Sequence, residues 1–311
     1  MWRVILGALL YLGFAFVSPV ALVAAPLGLM LLLQRPERRE SLIAGALLGL
    51  VAWSVVSPAD GFGRFEGAWV CLLTGGTAIA LSLHRPGRSL VGSGLLAVGT
   101  AAVAGALLVL VTPFSFAELR WVAERHYGVQ ARLLLEAMNR AVATGGGDGG
   151  GELLQTMELT LNEMVSAVSR LMPALVLLQS LAALAAAWAL YRWLARHPEG
   201  EPLPRLREFR FSDHLIWGVV LALIALVLPG ASAIRELGGN LAAFFGGLYV
   251  VRGLGIVAAL AAAAGLGGPF AALVASFAAI FLMPLVMFGA LALGVLDTWV
   301  DFRKYSAKKT G

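Results

Sequence analysis

The sequence predicts an all-α, polytopic transmembrane helical bundle of seven or eight spans, with a helical hairpin inserted outside the membrane. Hydrophobic residues make up 59% of the 311 residues and charged residues only 13%, so the chain has too few ions to cover the surface of a soluble domain. The apolar residues occur in runs of about 20, the length at which a helix crosses a hydrocarbon core. The short alternating segments that are typical of a membrane barrel are missing from the sequence.

Eight apolar stretches supply the predicted spans. Because lipid offers no hydrogen-bond partners to backbone amides, each stretch should be a helix. The first and the last are too long for one simple crossing, and proline interrupts both, at Pro19 and Pro26 and at Pro284. We therefore expect each of these two to be either one tilted, kinked helix or a tight pair of short helices. The eight stretches lie at residues 4–33, 42–56, 68–83, 90–111, 172–193, 215–228, 241–264 and 270–296.

Basic residues indicate how the chain is oriented in an inner (plasma) membrane. The formal net charge is +5, and the arginines lie in loops at 35–39, 85–88 and 192–210, which even numbers of spans separate. All three loops can therefore be cytoplasmic, while the loop at 57–66 fits the outside. The basic tail at 305–311 is also expected inside, which requires the last stretch to cross twice or to re-enter. We expect an uncleaved first span, because the apolar run continues past the signal-like residues 23–25.

Residues 112–170 form a polar insert between an amino-terminal group of spans (1–111) and a carboxyl-terminal group (171–304). Ser115 and Glu118 have capping-box spacing, which predicts a helix start. A glycine-rich break at 145–151 then separates two apolar stripes of helical period. We expect a hairpin whose stripes pack on each other or on the bundle, and whose second helix runs into the next span. The stripes are Leu119, Val122, Val129, Leu133 and Ala137, then Leu154, Met157, Leu161, Met164, Val168 and Leu171.

The most unusual residue is Arg252, which lies near the centre of an apolar span. A central arginine costs about 2.5–3.5 kcal/mol on insertion scales, so it requires a compensating partner, a wet cavity or a bound anion. Gly247 and Gly253 would let another helix or a ligand approach the backbone closely. Together with Asn240, in the polar segment that precedes the span, these residues form a candidate ligand-binding site. The alternative is a structural arginine, paired with a carboxylate or with carbonyls freed by a helix break.

A second polar group closes the last span. Asp297 and Asp301 are four residues apart and share a helix face. Two carboxylates on one face could bind a divalent ion, but an ion pair with Arg303 or with basic loops is the simpler interpretation. No other arrangement of histidine, glutamate or the single cysteine, Cys71, has the spacing of a metal site. We therefore expect no cofactor, no resident metal and no enzymatic activity, and the basic charge does not require a nucleic-acid partner.

Three segments of the carboxyl half resemble a known family. Residues 171–175 lead into a span that ends with Tyr191 and Arg196, residues 202–209 precede the next span, and residues 293–303 end the last one. In these segments the chain resembles the YybS-like (DUF2232) family of bacterial multi-pass membrane proteins. That family is distantly similar to the substrate-binding (S) components of ECF transporters. The resemblance implies a helical bundle with a small-molecule pocket, energised by separate ATPase subunits.

The sequence leaves three functions open. The first is a transporter-like membrane component that binds or moves a small solute, with Arg252 facing an anionic group of the ligand. The second is a non-transporting scaffold or assembly protein that contacts envelope proteins through the 112–170 insert. The third is an enzyme acting on lipid through a metal ion at Asp297 and Asp301. We favour the first, because interrupted apolar segments are typical of transporter sites.

Overall fold

Helices make up almost the whole of the described structure. The computed structural model describes residues 19–32, 49, 61–83, 90–111, 116–145, 150–195, 201–229, 232–264, 268, 282–300 and 302. Within these residues there is no β-strand, and the all-α prediction is confirmed. Two 3₁₀ turns, Leu206–Glu208 and Asp213–Leu215, precede the sixth of the eight α-helices. The α-helices are Pro19–Leu32 (α1), Gly61–Ser82 (α2), Leu90–Val111 (α3), Phe116–Gly145 (α4), Gly150–Leu194 (α5), Ile216–Val227 (α6), Ser232–Ala263 (α7) and Met283–Leu296 (α8).

Four of these helices, α2, α3, α5 and α7, are long and apolar enough to cross a membrane. Helices α1, α6 and α8 are apolar but shorter, so the prediction of a helical membrane protein is confirmed. Apart from Gly49, the predicted span at 42–56 lies outside the described residues, as do most of residues 264–281 and the tail at 305–311. The number of spans therefore stays a prediction.

The chain packs into two compact units. The first comprises Met1–Arg85 and Gly94–Tyr191, and the second comprises Pro86–Ser93 and Arg192–Gly311. The division predicted at 112 and 171 separates membrane from extramembrane segments, which is a different property from compactness, and it stays a prediction.

The core of the first unit lies among α1, α2, α3 and α5. Leu22, Leu73, Val98 and Met172 are buried together there. Trp69 also enters this core, where its indole Nε1 donates a hydrogen bond of 2.9 Å to the hydroxyl of Ser180. That hydroxyl donates in turn to the carbonyl of Val176 one helical turn earlier. The buried polar atoms of this chain of bonds are thus paired, as burial in an apolar core requires.

The predicted insert contains two helices, and the second continues without a break into the next span. Helix α5 has 45 residues and a length of about 68 Å, more than twice the hydrocarbon thickness of about 30 Å. Helix α4 packs on α2 through its amino half, where Leu119 and Ala123 are buried. The ring of His126 stacks on Phe62 there, with 4.0 Å between the centroids.

Two expectations for this region are corrected. Val129 and Leu133 were expected to pack, but they are 52% and 58% exposed, because only the amino half of α4 contacts α2. The predicted loop at 57–66 is helical from Gly61 onward, so Arg64 and Glu66 lie in the first turns of α2. Their charges fit a helix end at a membrane surface as well as they fit a loop.

Helix α7 is the central element of the second unit, and two short helices pack along it. Helix α6 contacts the amino half of α7, where Gly238 lies against Ala222 and Ala225. Helix α8 contacts the carboxyl half, where the Ala290 carbonyl occupies the place that a Cβ on Gly253 would need. With 12 and 14 residues, α6 and α8 are about 18 and 21 Å long, shorter than a hydrocarbon core.

Candidate functional site at Arg252

Arg252 is buried within the second unit, and its guanidinium is held by the end of α8. Its Nε donates a hydrogen bond of 2.9 Å to Oδ2 of Asp297. Its Nη2 donates one of 3.0 Å to the main-chain carbonyl of the same residue. The side chains of Arg252 and Asp297 are 4% and 1% exposed, so this ion pair is removed from solvent.

A second carboxylate, from the 3₁₀ turn that precedes α6, binds the same guanidinium. Nη1 of Arg252 donates a hydrogen bond of 2.8 Å to Oδ1 of Asp213. In contrast to Asp297, the Asp213 side chain is 63% exposed. Arg252 therefore joins three elements: the turn before α6, helix α7 and the end of α8.

Local helix chemistry explains why these residues meet. Asp297 is the C-cap of α8, and the last carbonyls of a helix carry partial negative charge and lack intrahelical donors. Arg252 supplies both a donor and a positive charge at that end. Asp213 lies in the turn that leads into α6, where a helix start carries partial positive charge and favours a carboxylate.

Close helix packing brings the three elements together. Gly294 on α8 lies directly against the carbonyl of Tyr249 on α7, and Gly253 lies against Ala290. Because neither glycine carries a Cβ, the two backbones touch. This contact places the end of α8, with Asp297, within reach of the Arg252 side chain.

Two aromatic rings lie against the cluster. The guanidinium carbon of Arg252 is 5.3 Å from the centroid of the Phe211 ring, a distance at which cation–π attraction operates. The Phe211 ring meets Tyr249 edge to face, with 5.1 Å between the centroids. Phe211 and Tyr249 are both buried, so they shield this side of the guanidinium from water.

The formal charges of the cluster do not balance, and one of its buried oxygens has no hydrogen-bond donor among the described residues. Among the described residues one guanidinium faces two carboxylates, and these three side chains together carry one formal negative charge. Oδ1 of Asp297 is buried and has no hydrogen-bond donor among the described residues, while the buried hydroxyls of Tyr249 and Thr298 lie next to each other. Since buried polar groups normally have partners, the second carboxylate oxygen of Asp297 can accept a hydrogen bond from a donor that the described residues do not supply.

The sequence comparison identifies the family of this chain. The family model described as "Predicted membrane protein (DUF2232)" matches residues 4–298. The chain belongs to the DUF2232 family. No curated protein and no solved structure matches it. The DUF2232 assignment agrees with the resemblance seen in the carboxyl half.

The predicted ligand residues of this DUF2232 chain are not all gathered at one place. Asn240 lies about 18 Å from Arg252 along the axis of α7, and its amide donates to the carbonyl of Glu236. The polar segment that contains it is the start of α7 and not a loop. Gly253 is covered by α8, while Gly247 is half-buried on α7. Of the four candidates, Arg252 is the one that the described structure shows bound to carboxylates of two other elements.

The second predicted group is only partly described. Asp301 and Arg303 lie outside the described residues, so their suggested pairing with Asp297 stays a prediction. Asp297 itself pairs with Arg252, 45 residues earlier in the chain. Among the described residues, no group of three histidine, cysteine, aspartate or glutamate side chains is placed to hold a metal ion.

Sequence reasoning missed Asp213, Phe211 and Tyr249 as parts of this DUF2232 site. Asp213 directly precedes an apolar helix, and an aspartate at such a position is a helix-start signal that could have been read. Phe211 and Tyr249 offer no comparable signal, because an aromatic residue beside a span is ordinary. Only the fold brings them to the guanidinium.

Proposed function

We propose that this DUF2232 chain is a membrane-embedded, transporter-like component that binds a small solute through an anionic group at Arg252. The observation that carries the proposal is a buried arginine at the place where two short apolar helices, α6 and α8, reach the same point of α7. Helices interrupted within the apolar layer commonly frame the binding sites of membrane transporters.

The cost of burying charge supports a binding role for this cluster. Ionisable residues inside membrane helices are expensive to insert and typically mark a site of function. Replacing a buried ion pair with apolar residues is often neutral for stability or even favourable, so stability alone does not explain why the pair is present. A solute-binding role does supply a reason.

The proposal includes neither a catalytic step nor an ATPase in this chain. In this proposal the described charges of the second unit serve binding, and any energy for transport comes from separate subunits, as the similarity to ECF substrate-binding components implies. The protein would reside in a bacterial inner membrane with its basic loops in the cytoplasm.

Arg252→Ala tests the proposal. We expect the variant to insert into the membrane but to lose the rise in melting temperature that a bound solute gives the purified protein, in a screen that includes acetate, other monocarboxylates and inorganic phosphate. Arg235→Ala is the matched control, because it removes an exposed arginine from the same helix. A normal solute response in Arg252→Ala would remove this residue from the site.

A folding defect in the single variant must be separated from a binding defect. Arg252→Ala leaves Asp297 charged and buried, which can by itself unfold the cluster. The double variant Arg252→Met with Asp297→Leu removes both charges, so it should keep the fold while losing the response. Retention of the response in the folded double variant would contradict the proposal.

The scaffold interpretation stays a second proposal, favoured by one observation. The insert exposes large apolar side chains, among them Trp121, Leu134 and Leu159, in a segment that composition places outside the lipid. Deleting residues 117–163 tests it by co-purification in mild detergent. Loss of all co-purifying proteins, with no solute response in the intact chain, would favour a scaffold over a solute-binding component.

A further inference from the structure

The hydrogen bonds of Arg252 fall into two sets of different strength. Nε and Nη2 bind Asp297, whose side chain is 1% exposed, through its carboxylate and its main-chain carbonyl. Nη1 binds Asp213, whose side chain is 63% exposed. One edge of the guanidinium is therefore fixed inside the unit, and another edge ends on a carboxylate at the surface of the unit, next to the polar segment that precedes α6.

The two carboxylates differ in how easily they can leave. A pair with a well-solvated partner contributes little, because water compensates the departing charge. A buried pair resists separation, because the remaining charge would stay in a medium of low polarity. Asp213 is thus the partner that can be exchanged, while Asp297 keeps the guanidinium in place.

The surrounding chain allows this exchange without unfolding. Phe211, two residues before Asp213, is buried against Tyr249 and the guanidinium. Helix α6 begins three residues after Asp213 and packs on α7. Because both sides of the turn are anchored, rotation of the Asp213 side chain is the smallest movement that frees Nη1.

Charge selects the kind of group that can take its place. With both carboxylates bound, the three described side chains carry one formal negative charge. A singly charged oxyanion that replaces Asp213 leaves this charge unchanged, whereas a doubly charged phosphate would add to it near the apolar layer, at a further desolvation cost. The guanidinium also favours the planar, bidentate geometry of a carboxylate.

We propose that Asp213 is an internal competitor for the ligand: its carboxylate holds Nη1 of Arg252 in the unliganded protein, and a singly charged oxyanion of the ligand replaces it on binding. The inference rests on the proposed function and assigns its substrate class. A solute carboxylate and the phosphodiester of an anionic lipid share this chemistry.

Asp213→Asn tests the exchange in the full-length protein. The protein carries Cys71→Ser and is placed in phosphatidylcholine nanodiscs. A fluorescent label on Ser212→Cys, an exposed neighbour of Asp213, reports the binding of acetate as acetate is titrated at constant ionic strength. Removing the competing charge should lower the half-saturating acetate concentration by about twofold to fivefold, the range that a solvent-exposed pair provides. Glu201→Gln removes a carboxylate from the same polar segment and should leave that concentration unchanged.

The outcomes separate this inference from the proposed function. An unchanged or raised half-saturating concentration in Asp213→Asn, or no acetate response in that variant, overturns the exchange. The proposed binding site at Arg252 still holds in that case if the folded variant Arg252→Met with Asp297→Leu loses the acetate response. An undiminished response in the double variant overturns the proposed function itself.

A second arm distinguishes the two sources of the oxyanion. Adding phosphatidylglycerol to the nanodiscs should leave the acetate titration unchanged if the ligand is a solute. If phosphatidylglycerol alone produces the label response and raises the half-saturating acetate concentration, an oxyanion does replace Asp213 on Arg252. In that case the occupant is a lipid headgroup, which contradicts the solute-binding function.

Discussion

At the scale of single residues, the pair of Arg252 and Asp297 is stable because the attraction between the two charges offsets the cost of burying each of them. Each charge is expensive to bury, and each is tolerable because the other lies 2.9 Å away. The main-chain carbonyl of Asp297 adds a second attachment that survives a change of its side chain. The two side chains should therefore behave as one energetic unit.

A double-mutant cycle tests this coupling. Arg252→Ala alone should destabilise the protein by about 3–5 kcal/mol, because it leaves the buried charge of Asp297 without its partner. Asp297→Ala should cost less, because Asp213 and the main-chain carbonyl of residue 297 still bind the guanidinium. The double variant Arg252→Met with Asp297→Leu should cost much less than the sum. Thermal unfolding in detergent measures each step. Additive effects in the cycle would show that the two side chains are independent.

An exposed pair serves as the control for that cycle. Arg120 and Glu124 are one helical turn apart on α4 and about one-third exposed. Arg120→Ala should change stability by no more than about 0.5 kcal/mol, because solvent screens such pairs.

At the scale of elements, glycine determines how closely α7 and α8 approach. A Cβ on Gly253 or Gly294 would occupy the position of a carbonyl on the facing helix, so the backbones would have to separate. Separation would draw Asp297 away from Arg252, because the carboxylate lies at the end of α8. Helix packing and the charge cluster are thus parts of one arrangement.

Gly253→Ala should therefore destabilise the protein, by an amount comparable to overpacking a core, about 1–3 kcal/mol, and should weaken the solute response. Gly246→Ala is the matched control on the same helix, because no atom of a facing element lies within 4 Å of the position of its Cβ. Alanine favours helix formation, so this control should be neutral or stabilising by up to about 1 kcal/mol. Equal melting temperatures for the two variants would argue against close packing at Gly253.

At the scale of the whole molecule, α5 decides which segments share a side of the membrane. Its apolar part is long enough to cross the lipid once, and its polar amino part lies in the predicted insert. Thr156 in the insert and Arg207 in the segment after α5 should therefore face opposite sides, whatever the total number of spans. The positive-inside rule predicts that the arginine-rich segment lies in the cytoplasm.

Cysteine labelling tests this arrangement in a Cys71→Ser background. In intact cells, a membrane-impermeant maleimide should label Thr156→Cys and should label Arg207→Cys only after the membrane is opened. Both positions are exposed in the structure, so accessibility within the protein does not limit the reaction. Labelling of both positions in intact cells would refute a single crossing by α5.

The sequence alone determined the membrane class, the helical fold and the continuity of the insert with the following span. These follow from properties that act along the chain: the length of an apolar run and the need of each backbone amide for a partner within its own helix. The same local properties identified Arg252 and Asp297 as candidates, because a charge within or beside an apolar segment is costly to insert.

Only the tertiary structure decided which charges meet. Asp213, Arg252 and Asp297 are separated by 39 and 45 residues, and no periodicity in the sequence links them. Their meeting depends on the register of α6 and α8 along α7, which is set by glycines that admit a facing backbone and by side chains that do not. Such complementarity is a property of two surfaces together, so neither segment reveals it alone.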